Sequence, residues 1–260
     1  MATYLDRILD RHREQAQADR RETAELVERA RRMPPTRSFA DALRTDDGLA
    51  VISEIKRRSP SKGALNVDLD PATMASAYAA GGASCLSVLT DVEHFGGSVA
   101  DLQAARAACE LPVLRKDFTV SANDVCDARL MGADCLLLIA AALGRQELID
   151  LHQLAVDIGL DVLVEIHDEA ELEVALAAGA TLVGVNQRDL VTFQVDHDRA
   201  VRMGGVIPEG IVRVAESGVR GPDDARSLHE AGYHAVLVGE TLVTAADPAA
   251  TIRALRHAHV

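Results

Sequence analysis

Four strand-like runs of this chain end in acids and bases. Leu49-Ala50-Val51-Ile52-Ser53-Glu54-Ile55-Lys56 carries Glu54 and Lys56. Three later runs end in Lys116 (112–118), Glu165 (162–167) and Glu216 (212–218). Side chains alternate faces along a strand, so Glu54 and Lys56 point the same way. Burying an acid beside a base is costly for a purely structural strand. With the amide of Asn186, at the end of another apolar run, the set holds two lysines, three carboxylates near them and an amide. Such a set can protonate a carbonyl, remove a proton and hold an anion.

The elements that must position these groups alternate. Strand-like runs lie at 49–56, 84–89, 112–116, 134–140, 162–166, 181–186, 211–216 and 235–239. Helix-like segments lie near 71–80, 98–108, 122–131, 145–157, 168–178, 198–203, 222–231 and 248–257. Alternation of this kind predicts βαβ units and a parallel sheet. Ala80-Gly81-Gly82-Ala83, Met131-Gly132-Ala133, Ala178-Gly179-Ala180 and Ala231-Gly232-Tyr233 each end a helix just before a strand, about 50 residues apart. Asp168 with Glu171 reads as an acidic capping box, and Pro71 and Pro222 suit first-turn positions. The fold class is therefore α/β, a (β/α)8 TIM barrel filling one domain over 1–260. Residues 1–48 form an N-terminal helical extension, read as one long helix from Tyr4 to Met33 stopped by Pro34-Pro35, then a short helical pattern at Ser38–Leu43. The rival is an open doubly wound sheet, but the segment after the first run lacks the Gly-rich dinucleotide turn.

In a barrel, chemistry gathers at the C-terminal strand ends. There Ser217 and Gly218 follow the seventh run, and Gly239 and Glu240 the eighth; their turns predict an anion site made of backbone N–H groups. Lys56 and the Ser59-Pro60-Ser61-Lys62-Gly63 loop offer further contacts. Phe95 and Phe118, on the loops after the second and third runs, could sandwich a flat ring. Asp196-His197-Asp198 is read as a solvated loop and not as metal ligands.

Composition narrows the class. The net charge of −13 opposes nucleic-acid binding, and aromatics at 3% leave no base-stacking platform. Four cysteines without C-x-x-C spacing fit a reducing cytoplasm, with no disulfide or zinc framework. No signal-peptide core and no apolar run of about 20 residues is present, so no membrane partner is expected.

Several segments together resemble one family. They are Glu54–Gly63, Phe95-Gly96-Gly97-Ser98, Leu114–Phe118, Gly132-Ala133-Asp134, Gly184–Leu190 and Ala215–Gly218, in order on successive strand ends. The chain is similar, over essentially its whole length, to the indole-3-glycerol-phosphate synthases. The resemblance implies the substrate 1-(2-carboxyphenylamino)-1-deoxy-ribulose 5-phosphate, closed to an indole with loss of carbon dioxide and then water. It implies no metal or organic cofactor. By position, Lys116 resembles the acid of ring closure, and Glu165 and Glu54 the acid/base carboxylates. Lys56 resembles a substrate contact active in dehydration, and Asn186 an orienting amide; Ser217 completes the expected catalytic set. Ser217, Gly218, Gly239 and Glu240 fall at phosphate positions, Phe95, Phe118 and Leu190 at ring walls, with Ser59, Arg188 and Glu216 as further substrate contacts. Arg58 and His94 depart from the family's usual residues and bear on loop behaviour. The expected partner is a small sugar phosphate, and the expected state a monomer or weak homodimer. Two other readings remain: a Schiff-base lyase using Lys116 or Lys56, and a non-catalytic sugar-phosphate binder.

Overall fold

The computed structural model describes residues 4–44, 48–60, 62–189, 191 and 193–258. Eight strands form a closed parallel barrel: β1 (Ala50–Ile55), β2 (Cys85–Leu89), β3 (Val113–Lys116), β4 (Cys135–Ile139), β5 (Asp161–Ile166), β6 (Leu182–Asn186), β7 (Val212–Glu216) and β8 (Ala235–Val238). Each strand pairs with its sequence neighbours, and β1 closes on β8 with Ala50 opposite Ala235. Closure removes every sheet edge from the barrel.

Helices follow the strands as the alternating pattern predicts. Helices α1 (Tyr4–Ala18), α2 (Thr23–Arg31) and α3 (Phe39–Ala42) precede the barrel. Around it run α4 (Pro71–Ala80), α5 (Val99–Ala108), α6 (Ala122–Met131), α7 (Arg145–Asp157), α8 (Glu169–Ala177), α9 (His197–Gly204), α10 (Pro222–Glu230) and α11 (Pro248–Arg256). Their starts are set locally. Asp70, Ser98, Ser121, Asp168, Asp196 and Asp247 each accept a hydrogen bond from a first-turn N–H. Gly82, Gly132, Gly179 and Gly232 leave helices with φ between +86° and +99°, where glycine avoids a Cβ clash.

Period two along the strands sorts the core. Ile52, Leu114, Leu163 and Val214 point inward and pack with Cys85 and Cys135 in the barrel's interior. Val51, Val88, Val164 and Val236 point outward into the layer beneath the helices. Phe39 of α3 and Leu43 just after it join the interior cluster and plug the barrel's N-terminal end. Asp161 fixes that plug by accepting from the N–H groups of Phe39 and Ala40 at 2.8 and 2.9 Å. Beside it, wholly buried Asp134 accepts from the N–H groups of Arg37 and Val113 and pairs with Arg106.

The single N-terminal helix expected over 4–33 is instead two helices, broken at 19–22. The cause is tertiary. Asp19 accepts from the backbone N–H and guanidinium of Arg21 and from the Asn123 amide, and Arg21 reaches on to Asp127 at 2.7 Å. Two groups on α6 thus supply what continuing the helix would have supplied. Among the described residues no helix is long and apolar enough to cross a membrane. The four cysteines are free thiols, and burial raises the Cys85, Cys126 and Cys135 thiols above their usual range.

Candidate active site

A cavity of about 560 Å³ opens at the C-terminal ends of the strands. Each strand that carries an expected catalytic side chain turns it inward by the same alternation that buries its apolar neighbours. Leu114 and Lys116 share a face of β3, Leu163 and Glu165 of β5, and Val214 and Glu216 of β7. Glu54, Lys56, Lys116, Glu165, Asn186 and Ser217 all line this cavity. So do Ser59, Phe95, Phe118, Arg188, Glu216, Gly218, Gly239 and Glu240. Leu190 lies outside the described residues, as does Ser61. Leu137, Ile139 and Leu237 form an apolar floor continuous with the barrel interior.

Lys116 is the electrostatic centre. Its ammonium lies 3.0 Å from Glu165 and 3.3 Å from Glu216. Burial works against the charge, but Glu165, Glu216 and Glu54 hold the ammonium well above its usual range. Burial would likewise raise Glu165; Lys116, His167 and the Asn186 amide overcome it and hold that carboxyl below the usual range. Glu165 accepts from Lys116 on one oxygen and from Asn186 on the other, each at 3.0 Å. Glu216 goes the other way. Burial first, then the charges of Glu165 and Glu54, pushes it up to about 8 against the pull of Lys116. Its Oε1 is buried with no hydrogen-bond partner among the described residues. Glycine at 184 makes room for it, because a Cβ there would run into that oxygen. Glu54 and Lys56 form a second ion pair across the cavity.

The rim suits an anion. Ser217 has φ +67°, an uncommon strain for a non-glycine residue, and Gly218 follows at +76°. A side chain at Gly218 would strike Val195 and the His197 ring. The buried Gln187 amide donates to the Ser217 carbonyl at 2.8 Å and holds this turn. A side chain at Gly239 would meet Glu54 and Lys56, so that glycine serves the ion pair as well as the rim. Lys62 reaches Glu240 at 3.6 Å across the mouth.

Sequence reasoning missed part of this wall. Tyr4, Leu5 and Ile8 of α1 line the cavity, so the extension lies over the mouth; the apolar spacing of α1 was the only signal. His197 also lines the cavity, which corrects its reading as part of a solvated loop; Asp196 does cap α9. Phe95 and Phe118 sit 6.4 Å apart, tilted by 37°. They pack on each other as one wall and not as two jaws of a sandwich. His12 of α1 lies 5.5 Å from Phe118 and 3.2 Å from Asp91 Oδ2, which His94 also meets at 3.2 Å. Burial would raise Asp91; the two histidines hold it well below the usual range. His12, Asp91 and Asp117 bring three ligand-type atoms within 4.8 Å of one another. Thr90 and Arg115 already hold Asp117, so the group reads as a hydrogen-bonded latch between α1 and the loops after β2 and β3.

The family model for indole-3-glycerol phosphate synthase matches residues 5–255. The chain belongs to the indole-3-glycerol phosphate synthase family. It is 54% identical over 235 residues to indole-3-glycerol phosphate synthase 2 of Streptomyces coelicolor, covering 90% of this chain and 91% of that one. The Streptomyces griseus synthase is 52% identical over 88% of this chain and 84% of its own, and that of Parafrankia sp. 50% over 94% and 91%. The synthase is a carboxy-lyase of tryptophan biosynthesis and binds a sugar-phosphate substrate. Two solved structures share only the barrel. Thiamine phosphate pyrophosphorylase from Pyrococcus furiosus matches 82% of this chain and 96% of its own at 16% identity, TM-score 0.61. N-acetylmannosamine-6-phosphate 2-epimerase from Clostridium perfringens matches 80% and 92% at 15% identity, TM-score 0.62.

Proposed function

We propose that Lys116 is the general acid of ring closure in this synthase. The observation that carries this reading is the half-buried Lys116 ammonium between Glu165 and Glu216, on the floor of the cavity whose rim suits a phosphate. An ammonium aimed at the developing alkoxide also stabilises its charge. Glu165 and Glu54 then serve as acid/base carboxylates, Lys56 takes part in dehydration, and Asn186 orients Glu165 through its amide. Ser217, Gly218, Gly239 and the backbone of Glu240 grip the phosphate, with Ser59 and Arg188 beside it. Phe95, Phe118 and Leu190 flank the anthranilate ring. A Schiff-base lyase acting through Lys116 is disfavoured, because two carboxylates hold that group as the ammonium and the nucleophile of such a lyase is the free amine. We also propose one domain, working in the cytoplasm as a monomer or weak homodimer, without metal, organic cofactor, nucleic acid or membrane. The charge of −13, the free thiols and the lack of a membrane-length helix among the described residues support this.

The test is indole formation from the carboxyphenylamino-deoxyribulose phosphate, followed by fluorescence. Lys116→Met should lose at least ~10²-fold in turnover, the lower range for a general acid. Turnover near that of the parent would overturn the assignment.

A further inference from the structure

His167 follows β5 and does not line the cavity, yet its ring stands directly behind Glu165. Its Nε2 is buried, has no hydrogen-bond partner among the described residues, and lies 3.9 Å from Glu165 Oε1. Its Nδ1 meets Glu171 Oε2 at 3.0 Å, and the same carboxylate accepts from the His167 N–H at 2.7 Å. Glu171 is on α8 and is partly open to solvent. The charged groups facing the ring are thus Glu165 from β5, Glu171 from α8 and Arg199 from α9. Burial disfavours the imidazolium, but the hydrogen bond to Glu171 and the charge of Glu165 raise its pKa above the usual value.

The reaction has a proton deficit. Ring closure takes one proton onto the carbonyl oxygen. The carboxylate then leaves as neutral carbon dioxide and returns its electron pair to the ring. Dehydration takes one proton to release water and gives one back from the ring carbon. Each turnover therefore consumes one proton, and Lys116, having given up its own, sits buried beneath the substrate.

We propose that His167 is a positioning residue that stores this proton and recharges Lys116 through Glu165. The His167 Nε2–H bond breaks as a Glu165 O–H bond forms, and Glu165 passes a proton to the neutral Lys116 amine. The ammonium and the Glu165 carboxylate are restored, and His167 is left neutral with its Nδ1–H on Glu171. Solvent returns the proton to Nε2 after product leaves. An approach of about 1 Å brings Nε2 within hydrogen-bond reach of Glu165. The proposal rests on the roles given above to Lys116 and Glu165.

His167→Asn and Glu171→Gln test it. In His167→Asn the first turnover of ring closure should keep its rate, while steady-state kcat falls about 10-fold near neutral pH. The parent and the variant should converge at alkaline pH, where the parent ring is also neutral, and added imidazole should recover the variant. Glu171→Gln should move the alkaline limb of kcat to lower pH, because it removes the carboxylate that holds the charge. A loss equal at every pH and not recovered by imidazole would mark a structural role and overturn the proposal. An unmoved limb in Glu171→Gln would do the same, even if His167→Asn failed to fold. Glu165→Gln separates the two readings. If it turns over like the parent, the role of Glu165 fails; if it is inactive and the His167 and Glu171 results are negative, only the proton store fails.

Discussion

Glu216 and Glu165 share one ammonium, and the sharing is unequal. Glu165 has the Asn186 amide and the nearer contact to Lys116; Glu216 has an orphaned oxygen and two like charges nearby. The folded protein therefore keeps a proton on Glu216 that the unfolded chain releases. Between the ordinary glutamate value of 4.5 and about 8 the native state binds more protons, so this group's contribution to stability falls as pH rises through that window. Glu165 contributes the opposite slope, lost on the acid side. Glu216→Gln should flatten the decline of Tm between pH 5 and 8 and raise Tm most at the alkaline end. Thermal melts of parent and variant across that range check the sign; an unchanged slope would show that Glu216 is ionised throughout.

At the scale of elements, the N-terminal end of the barrel is held by two aspartates, Asp134 wholly buried and Asp161 half-buried, and the catalytic end by neither. Asp134 ties the segment before α3 to the start of β3 and to Arg106 of α5. Asp134→Ala would leave the buried Val113 N–H without its acceptor and the Arg106 charge without its partner, at a cost of about 3–5 kcal/mol. A large fall in the denaturation midpoint, with KM unchanged in the protein that stays folded, is the expected result. The strand ends were legible in the sequence because period two fixes the face of Glu54, Lys116, Glu165 and Glu216 without reference to any other strand. The helix stops were legible because glycine marks the left-handed turn. The break after Ala18 was not, because its partners, Asn123 and Asp127, are remote in sequence. The same distance hid Gln187 beneath Ser217 and His12 beside Asp91; neither has a local pattern.

Over the whole molecule, the barrel is complete without α1, but the cavity is not. Tyr4, Leu5 and Ile8 supply one side of it, and α1 is fastened by Arg11 to Glu93, His12 to Asp91 and Arg13 to Glu147. Deleting residues 1–18 should leave a folded barrel by circular dichroism, with KM raised more than kcat is lowered. Loss of the barrel itself would show that α1 is part of its core. The fastening also sets an order of events on the ribosome. Helix α1 is made before every group that holds it: Glu147 emerges only after four barrel strands, and Phe193, whose ring meets that of Tyr4, only after six. Until then α1 has its apolar stripe and no place to put it. Helix α1 thus docks long after it is made, and for that interval the nascent chain must keep the stripe away from other chains.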